Sequence, residues 1–127
     1  MPIYFKKIIY FVILFAILFL IFGCADSETK KTAYYKKGIE YVEKEDWNSA
    51  ILEFQNAVQI DPKFADARYQ LGLLYFKDGQ LKKAFKEFLR VASLKPENLD
   101  VQLMLARALY SAKEFDKSRE RVLKILE

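Results

Sequence analysis

The sequence has no histidine, one cysteine and four glycines among 127 residues. The absent imidazoles and the single thiol remove most metal-ligand sets and the commonest acid–base catalyst. There is no glycine-rich phosphate loop, no Gly-x-Ser-x-Gly and no Cys-x-x-Cys. Asp61 and Asp66 are close enough in sequence to pair, but each holds a turn or cap position that accounts for it. No enzyme, no metal and no dissociable cofactor is expected. One sign of charge is also nearly missing in excess. Lys and Arg number 21 against 17 Asp and Glu, for +4. Without Lys6 and Lys7, which belong to the N-terminal segment, the balance is 19 against 17, or +2. That excess is too small to argue for a nucleic-acid partner.

Hydrophobic residues make up 53 % of the chain, and they are unevenly spread. Residues 3 to 22 read IYFKKIIYFVILFAILFLIF, and Ile8 to Phe22 carry no charge. Two lysines ahead of an apolar stretch of roughly 7–15 residues form a secretory signal. The lysines stay cytoplasmic, so the rest is delivered outside. Ile21-Phe22-Gly23-Cys24 resembles the lipobox of bacterial lipoproteins, in which a small residue precedes the lipidated cysteine. Gly23 and Cys24 match, Ile21 is an accepted aliphatic, and Phe22 departs from the usual small residue. Two outcomes stay open. Either residues 1–23 are a cleaved lipoprotein signal peptide and Cys24 carries a covalent lipid (palmitate among its acyl chains), or the segment is kept as a transmembrane helix, for which ~20 apolar residues suffice. Either one puts the remainder outside the cytoplasm and tethered to a membrane. Residues 24–30 are read as a short polar tether, of which residues 25–30 reach about 20 Å when extended.

Beyond residue 30 the chain aligns with itself at an offset of 34. Gly38 falls on Gly72 and Ala106, Tyr41 on Tyr75 and Leu109, and Ala50 on Ala84 and Ser118. Phe54 falls on Phe88 and Val122, Pro62 on Pro96, and Trp47 on Leu81 and Phe115. Small residues let two helices approach closely. Tyr and Phe fill the space between hairpins, and Pro ends the second helix of a pair.

This pattern resembles the tetratricopeptide repeat family. The first unit shows Tyr34, Gly38, Tyr41, Ala50, Phe54, Ala57 and Pro62, with Lys37 where the family has Leu. The second shows Leu71-Gly72, Tyr75, Ala84, Phe88, Val91 and Pro96, with Arg68 at the first aromatic position. The third is degenerate: Leu105-Ala106, Leu109, Ser118, Val122 and Ile125. The resemblance implies an all-α, right-handed solenoid of about three helical hairpins over residues 31–127 (units 31–64, 65–98 and 99–127), preceded by an apolar signal or anchor helix. First helices are expected near 31–44, 64–77 and 98–111, and second helices near 47–60, 81–94 and 115–126.

In this family the first helices line a concave face that binds a protein or peptide. The matching positions are Tyr35, Ile39 and Val42, then Tyr69, Leu73 and Phe76, then Leu103, Arg107 and Tyr110. They recur at spacings of three and four, on one helix stripe. The stripe is apolar and aromatic, suited to an apolar or amphipathic segment rather than to a terminal carboxylate. The same side chains also have a packing role open to them. Lys82, Lys83, Lys86 and Arg90 form a basic row that either meets anionic lipid or is a solvated face, partly offset by Glu87. The last helix keeps Phe115, Val122, Leu123, Ile125 and Leu126 with no following helix to cover them, so a homo-oligomer through this uncapped unit is a further expectation. Together these features imply a membrane-anchored adaptor in a bacterial cell envelope, at the outer membrane where there are two, since Ala25 rather than Asp follows Cys24. Such adaptors serve in assembly of a secretion, pilus or outer-membrane machine. A self-associating structural module and a regulatory subunit docking an envelope enzyme are the alternatives.

Overall fold

The computed structural model describes the backbone of residues 3–126, with side chains described outside residues 3, 18–25 and 125–126. Six helices follow one another: α1 Ile3–Glu43, α2 Trp47–Ile60, α3 Ala65–Lys77, α4 Leu81–Leu94, α5 Leu99–Ser111 and α6 Phe115–Leu126. They pair as α1/α2, α3/α4 and α5/α6, and each pair packs on the next through α2/α3 and α4/α5.

The hairpin turns repeat as closely as the helices. Glu45, Gly79 and Lys113, each 34 residues after the last, have φ of 57°, 74° and 64°. Each left-handed residue lets the following amide reach back to the helix: Asp46 N–H to Tyr41 O (2.9 Å), Gln80 N–H to Tyr75 O (2.8 Å) and Glu114 N–H to Leu109 O (2.9 Å). This is the Schellman closure, which satisfies carbonyls left open at a helix C-terminus. Asp46 then caps α2 by accepting from Ser49 N–H at 3.2 Å, and Asn98 caps α5 by accepting from Val101 N–H at 3.1 Å.

Inside the first two hairpins a large ring lies on a glycine. Phe54 and Phe88 are fully buried. A Cβ built on Gly38 would come within 2.5 Å of the Phe54 ring, and one on Gly72 within 2.5 Å of Phe88. The third unit changes both partners: Ala106 supplies a Cβ and Val122 replaces the ring. Ser118, at the position of Ala50 and Ala84, donates its hydroxyl to Ala106 O at 2.8 Å. What reads as degeneracy is therefore a compensated exchange. The departure at Lys37 also has a cause. Leu71, Leu74, Leu105 and Ala108 are buried against the preceding hairpin, whereas Lys37 and Glu40 hold the same positions at the exposed start of the array.

Two expectations for the N-terminal region are corrected. Residues 24–30 are not a separate tether, and the apolar segment is not an element of its own: both belong to α1, which runs on into the first repeat helix. Residues 26–31 contain neither Pro nor Gly, and their charges fall at helical spacing. Lys30 pairs with Asp26 at 2.7 Å and Lys31 with Glu28 at 2.6 Å. The six residues 25–30 thus span about 9 Å as helix rather than about 20 Å extended. Residues 4–17 are exposed along their whole length. Among the described residues, no helix is long and apolar enough to cross a membrane. Cys24 lies outside the residues whose side chains are described.

Candidate protein-binding surface

The nine stripe residues sit on α1, α3 and α5, but not with equal freedom. Tyr35, Ile39, Val42, Tyr69, Leu73 and Phe76 are half-buried and pack against the core. The Tyr35 ring stands 5.6 Å from Phe54 and 5.2 Å from Phe64, and the Tyr69 ring 6.0 Å from Phe88. Desolvation raises the Tyr69 phenol above its ordinary pKa, and the nearby Asp100 charge adds to the rise. These residues serve packing and present only an edge outward. In the third unit Leu103 is 49 % and Tyr110 65 % exposed, and Arg107 is exposed as well. The Arg107 guanidinium lies 5.7 Å from the centre of the Phe76 ring, a spacing at which a cation is drawn to an aromatic face.

Two hollows divide the stripe. A narrow one of about 140 Å³ lies between Tyr35 and Tyr69, with Gln70, Asp66, Lys95 and Asn98 on its walls. Lys95 pairs with Asp66 at 2.7 Å beside it. The wider one, about 480 Å³, is lined by Phe76, Leu103, Arg107 and Tyr110 together with Ala106 and Val122. The wide hollow opens where Val122 takes the place of a phenylalanine. Sequence reasoning placed four of its lining residues on the stripe. It missed the contributions of Lys95, Asn98 and Gln70 to the narrow one: Lys95 and Asn98 cap α4 and α5, where the periodic pattern carries no information, and Gln70 lies inside α3 one position beyond the stripe residue Tyr69.

Among the described residues, no group of Cys, Asp and Glu side chains is placed to hold a metal ion. The surface offers apolar contact, one guanidinium and a phenol, which is the chemistry of recognition.

Family models described as TPR repeat and tetratricopeptide repeat match residues 38–79 and 75–127, respectively. The chain is a tetratricopeptide-repeat protein. Among curated relatives, human Superkiller complex protein 3 is 30 % identical over 84 residues, which is 66 % of this chain and 5 % of that protein. Anaphase-promoting complex subunit 3 of Schizosaccharomyces pombe is 30 % identical over 70 residues, 55 % of this chain and 10 % of that one. The chain thus spans a small part of these relatives. Among solved structures, MamA superposes with a TM-score of 0.73 at 28 % identity, covering 77 % of this chain and 54 % of MamA. The TPR2B domain of yeast Sti1, solved in a pHsp70 complex, superposes with a TM-score of 0.71 at 18 % identity, covering 76 % of this chain and 78 % of that one. The repeats make the protein an interaction scaffold.

Proposed function

We propose that this tetratricopeptide-repeat protein is a membrane-tethered adaptor that captures an apolar or amphipathic segment of a protein partner along the side formed by α1, α3 and α5. The observation that carries the reading is the hollow of about 480 Å³ bounded by Phe76, Leu103, Arg107 and Tyr110. A cavity of this size with apolar walls and one cation accepts an anchor side chain followed by a polar flank. The tether rests on residues 4–17, an exposed and nearly uninterrupted apolar helix, and on the Gly23-Cys24 signature. With a lipid on Cys24 the array works close to a bilayer, which raises the effective concentration of a membrane-bound partner. Assembly of an envelope complex, at an outer membrane where there is one, is the setting this arrangement suits.

The test places a photo-crosslinking amino acid at Tyr110 in the native host, with mass spectrometry of the adducts. One dominant membrane-proximal partner, lost on Leu103→Glu, supports the adaptor. Undiminished adducts after Leu103→Glu refute it. Incorporation of labelled palmitate that persists in Cys24→Ser refutes lipidation at that residue.

A second reading is self-association through the third unit, favoured by Phe115 and Leu123, which are 52 % and 53 % exposed. Light scattering distinguishes it: dimers that revert to monomers in Phe115→Glu support this reading, and a monomeric parent chain rejects it.

A further inference from the structure

Lys82, Lys86 and Arg90 lie at spacings of four along α4, on the side of the array formed by the second helices, and all three are exposed. The acid in this row does not offset them. Glu87 turns to Arg68 of α3 at 2.6 Å, with the two side chains 14 % and 11 % exposed. Among the described residues, no carboxylate forms an ion pair with Lys82, Lys86 or Arg90.

Phe85, on the same helix, lines a cleft of about 360 Å³ together with Leu109, Lys117, Glu120, Arg121 and Lys124. Its origin is visible one repeat earlier. There Tyr75 is 7 % exposed. Its hydroxyl accepts from Gln55 Nε2 at 2.7 Å, and Lys83 Nζ lies 5.3 Å from the centre of its ring. At the next repeat Leu109 replaces Tyr75, Leu89 replaces Gln55 and Lys117 replaces Lys83. The ring and its hydroxyl donor are gone while the cation stays. Phe85 and Leu109 supply apolar walls.

We propose that this cleft is a second docking site, on a different side from the stripe of α1, α3 and α5, for the aromatic side chain of a partner segment rich in Asp and Glu. The site lacks one tyrosine ring relative to its neighbour, so the anchor is a Tyr or Phe from outside. Lys117 stands ready to meet that ring as Lys83 meets Tyr75. The flanks are set by Lys82, Lys86, Arg90, Arg121 and Lys124. Lys117 and Lys124 now pair with Glu114 and Glu120 at 3.2 Å each, but these are exposed pairs of small worth that a partner's carboxylates can replace. Arg121 donates to Gln102, a neutral group. One feature favours an acidic protein over a nucleic acid: the solenoid as a whole carries little net charge, too little to hold a continuous phosphate chain. An anionic bilayer has no ring for the cleft.

The test is fluorescence anisotropy of the full chain in mild detergent with a labelled peptide, Glu-Asp-Glu-Tyr-Glu-Asp-Glu. Replacing the peptide's tyrosine with alanine is expected to weaken binding about tenfold. Leu109→Tyr, which restores the ring of the preceding repeat, is expected to weaken it about as much, with helicity and melting temperature retained. Leu103→Glu, in the other hollow, should leave it unchanged. Equal binding of the alanine peptide, or undiminished binding by folded Leu109→Tyr, overturns the proposal. So does equal competition by a thymidine oligonucleotide or by anionic vesicles. Should Leu109→Tyr fail to fold, the two peptides on the parent chain decide, because only an aromatic site separates them.

Discussion

Arg68 and Glu87 join the two helices of the second hairpin through a 2.6 Å ion pair between Nη1 and Oε2, and the same pair of positions recurs 34 residues away in both directions. In the third hairpin it is Gln102 and Arg121, which meet at 2.7 Å. In the first it is Tyr34 and Glu53, and the Oε2 atom of Glu53 is buried without a hydrogen-bond partner. A buried acceptor left unpaired costs about 1–3 kcal/mol. Tyr34→Arg places in the first hairpin the guanidinium that the second one has. It is expected to stabilise the chain by about 1 kcal/mol in urea unfolding, while Arg68→Met, which strands Glu87, costs about 3 kcal/mol. A loss on Tyr34→Arg would show that the tyrosine's packing outweighs the orphaned carboxylate.

The exchange of Gly-Phe for Ala-Val between hairpins predicts a rescue. Gly72→Ala drives a methyl group to 2.5 Å from the Phe88 ring, and overpacking of this kind costs about 1–3 kcal/mol. Phe88→Val alone opens a cavity in the core. The double variant Gly72→Ala with Phe88→Val recreates the Ala106–Val122 pair of the third unit, and should be more stable than the sum of the two losses by about 1 kcal/mol or more. Additive losses in a double-mutant cycle would show that the third unit tolerates its pair for some other reason.

These two relationships mark how far the sequence could be read. The offset of 34 residues gave the boundaries of α2 to α6 to within one residue, because Gly, Ala, Phe and Pro each have one steric role in a hairpin. It did not show that α1 continues through residues 24–30. Polar composition there suggested a tether, whereas the absence of Pro and Gly and the spacing of Asp26 and Lys30 were the signal that mattered. The spacing of Tyr35 to Tyr110 along the first helices was legible. The division of these residues into packed aromatics and an open third unit was not, because the freedom of Tyr35 or Tyr69 depends on where the Phe54 and Phe88 rings lie. Likewise Leu109 and Val122 read as decayed repeat positions, and only their neighbours show that each leaves a hollow.

The three hairpin turns supply a prediction with two signs. Lys113 and Glu45 hold φ values of 64° and 57°, where a Cβ is penalised, and Gly79 holds 74° without one. Lys113→Gly is expected to stabilise by up to about 1 kcal/mol, since relief of left-handed strain is partly offset by the larger unfolded-state freedom of glycine. Gly79→Ala is expected to destabilise by about 1 kcal/mol although nothing lies within 4 Å of the added methyl. Thermal unfolding of both variants checks this, and the opposite order of melting temperatures would refute it.

Asp61 gives the stability curve its acid side. Its carboxylate accepts from Lys31 Nζ at 2.6 Å and from Lys63 N–H at 2.9 Å, and these bonds hold it below its ordinary value of 3.8. Lys31, bonded to both Asp61 and Glu28, is held above 10.5. For a group whose folded pKa is depressed, the stabilisation is fully present above the unfolded value and is lost as pH falls through the folded one. The Asp61 contribution is therefore constant at neutral pH, begins to fade near pH 4 and is gone once pH drops below its lowered pKa. The Lys31 contribution is complete below pH 10.5 and disappears as pH rises past its raised pKa. Asp61→Asn should lower stability at pH 7 and flatten its decline below pH 4. Urea midpoints measured from pH 3 to pH 7 test this directly. A parent chain and an Asp61→Asn variant with parallel acid limbs would show that the link between the start of the first hairpin and the start of the second does not depend on this charge.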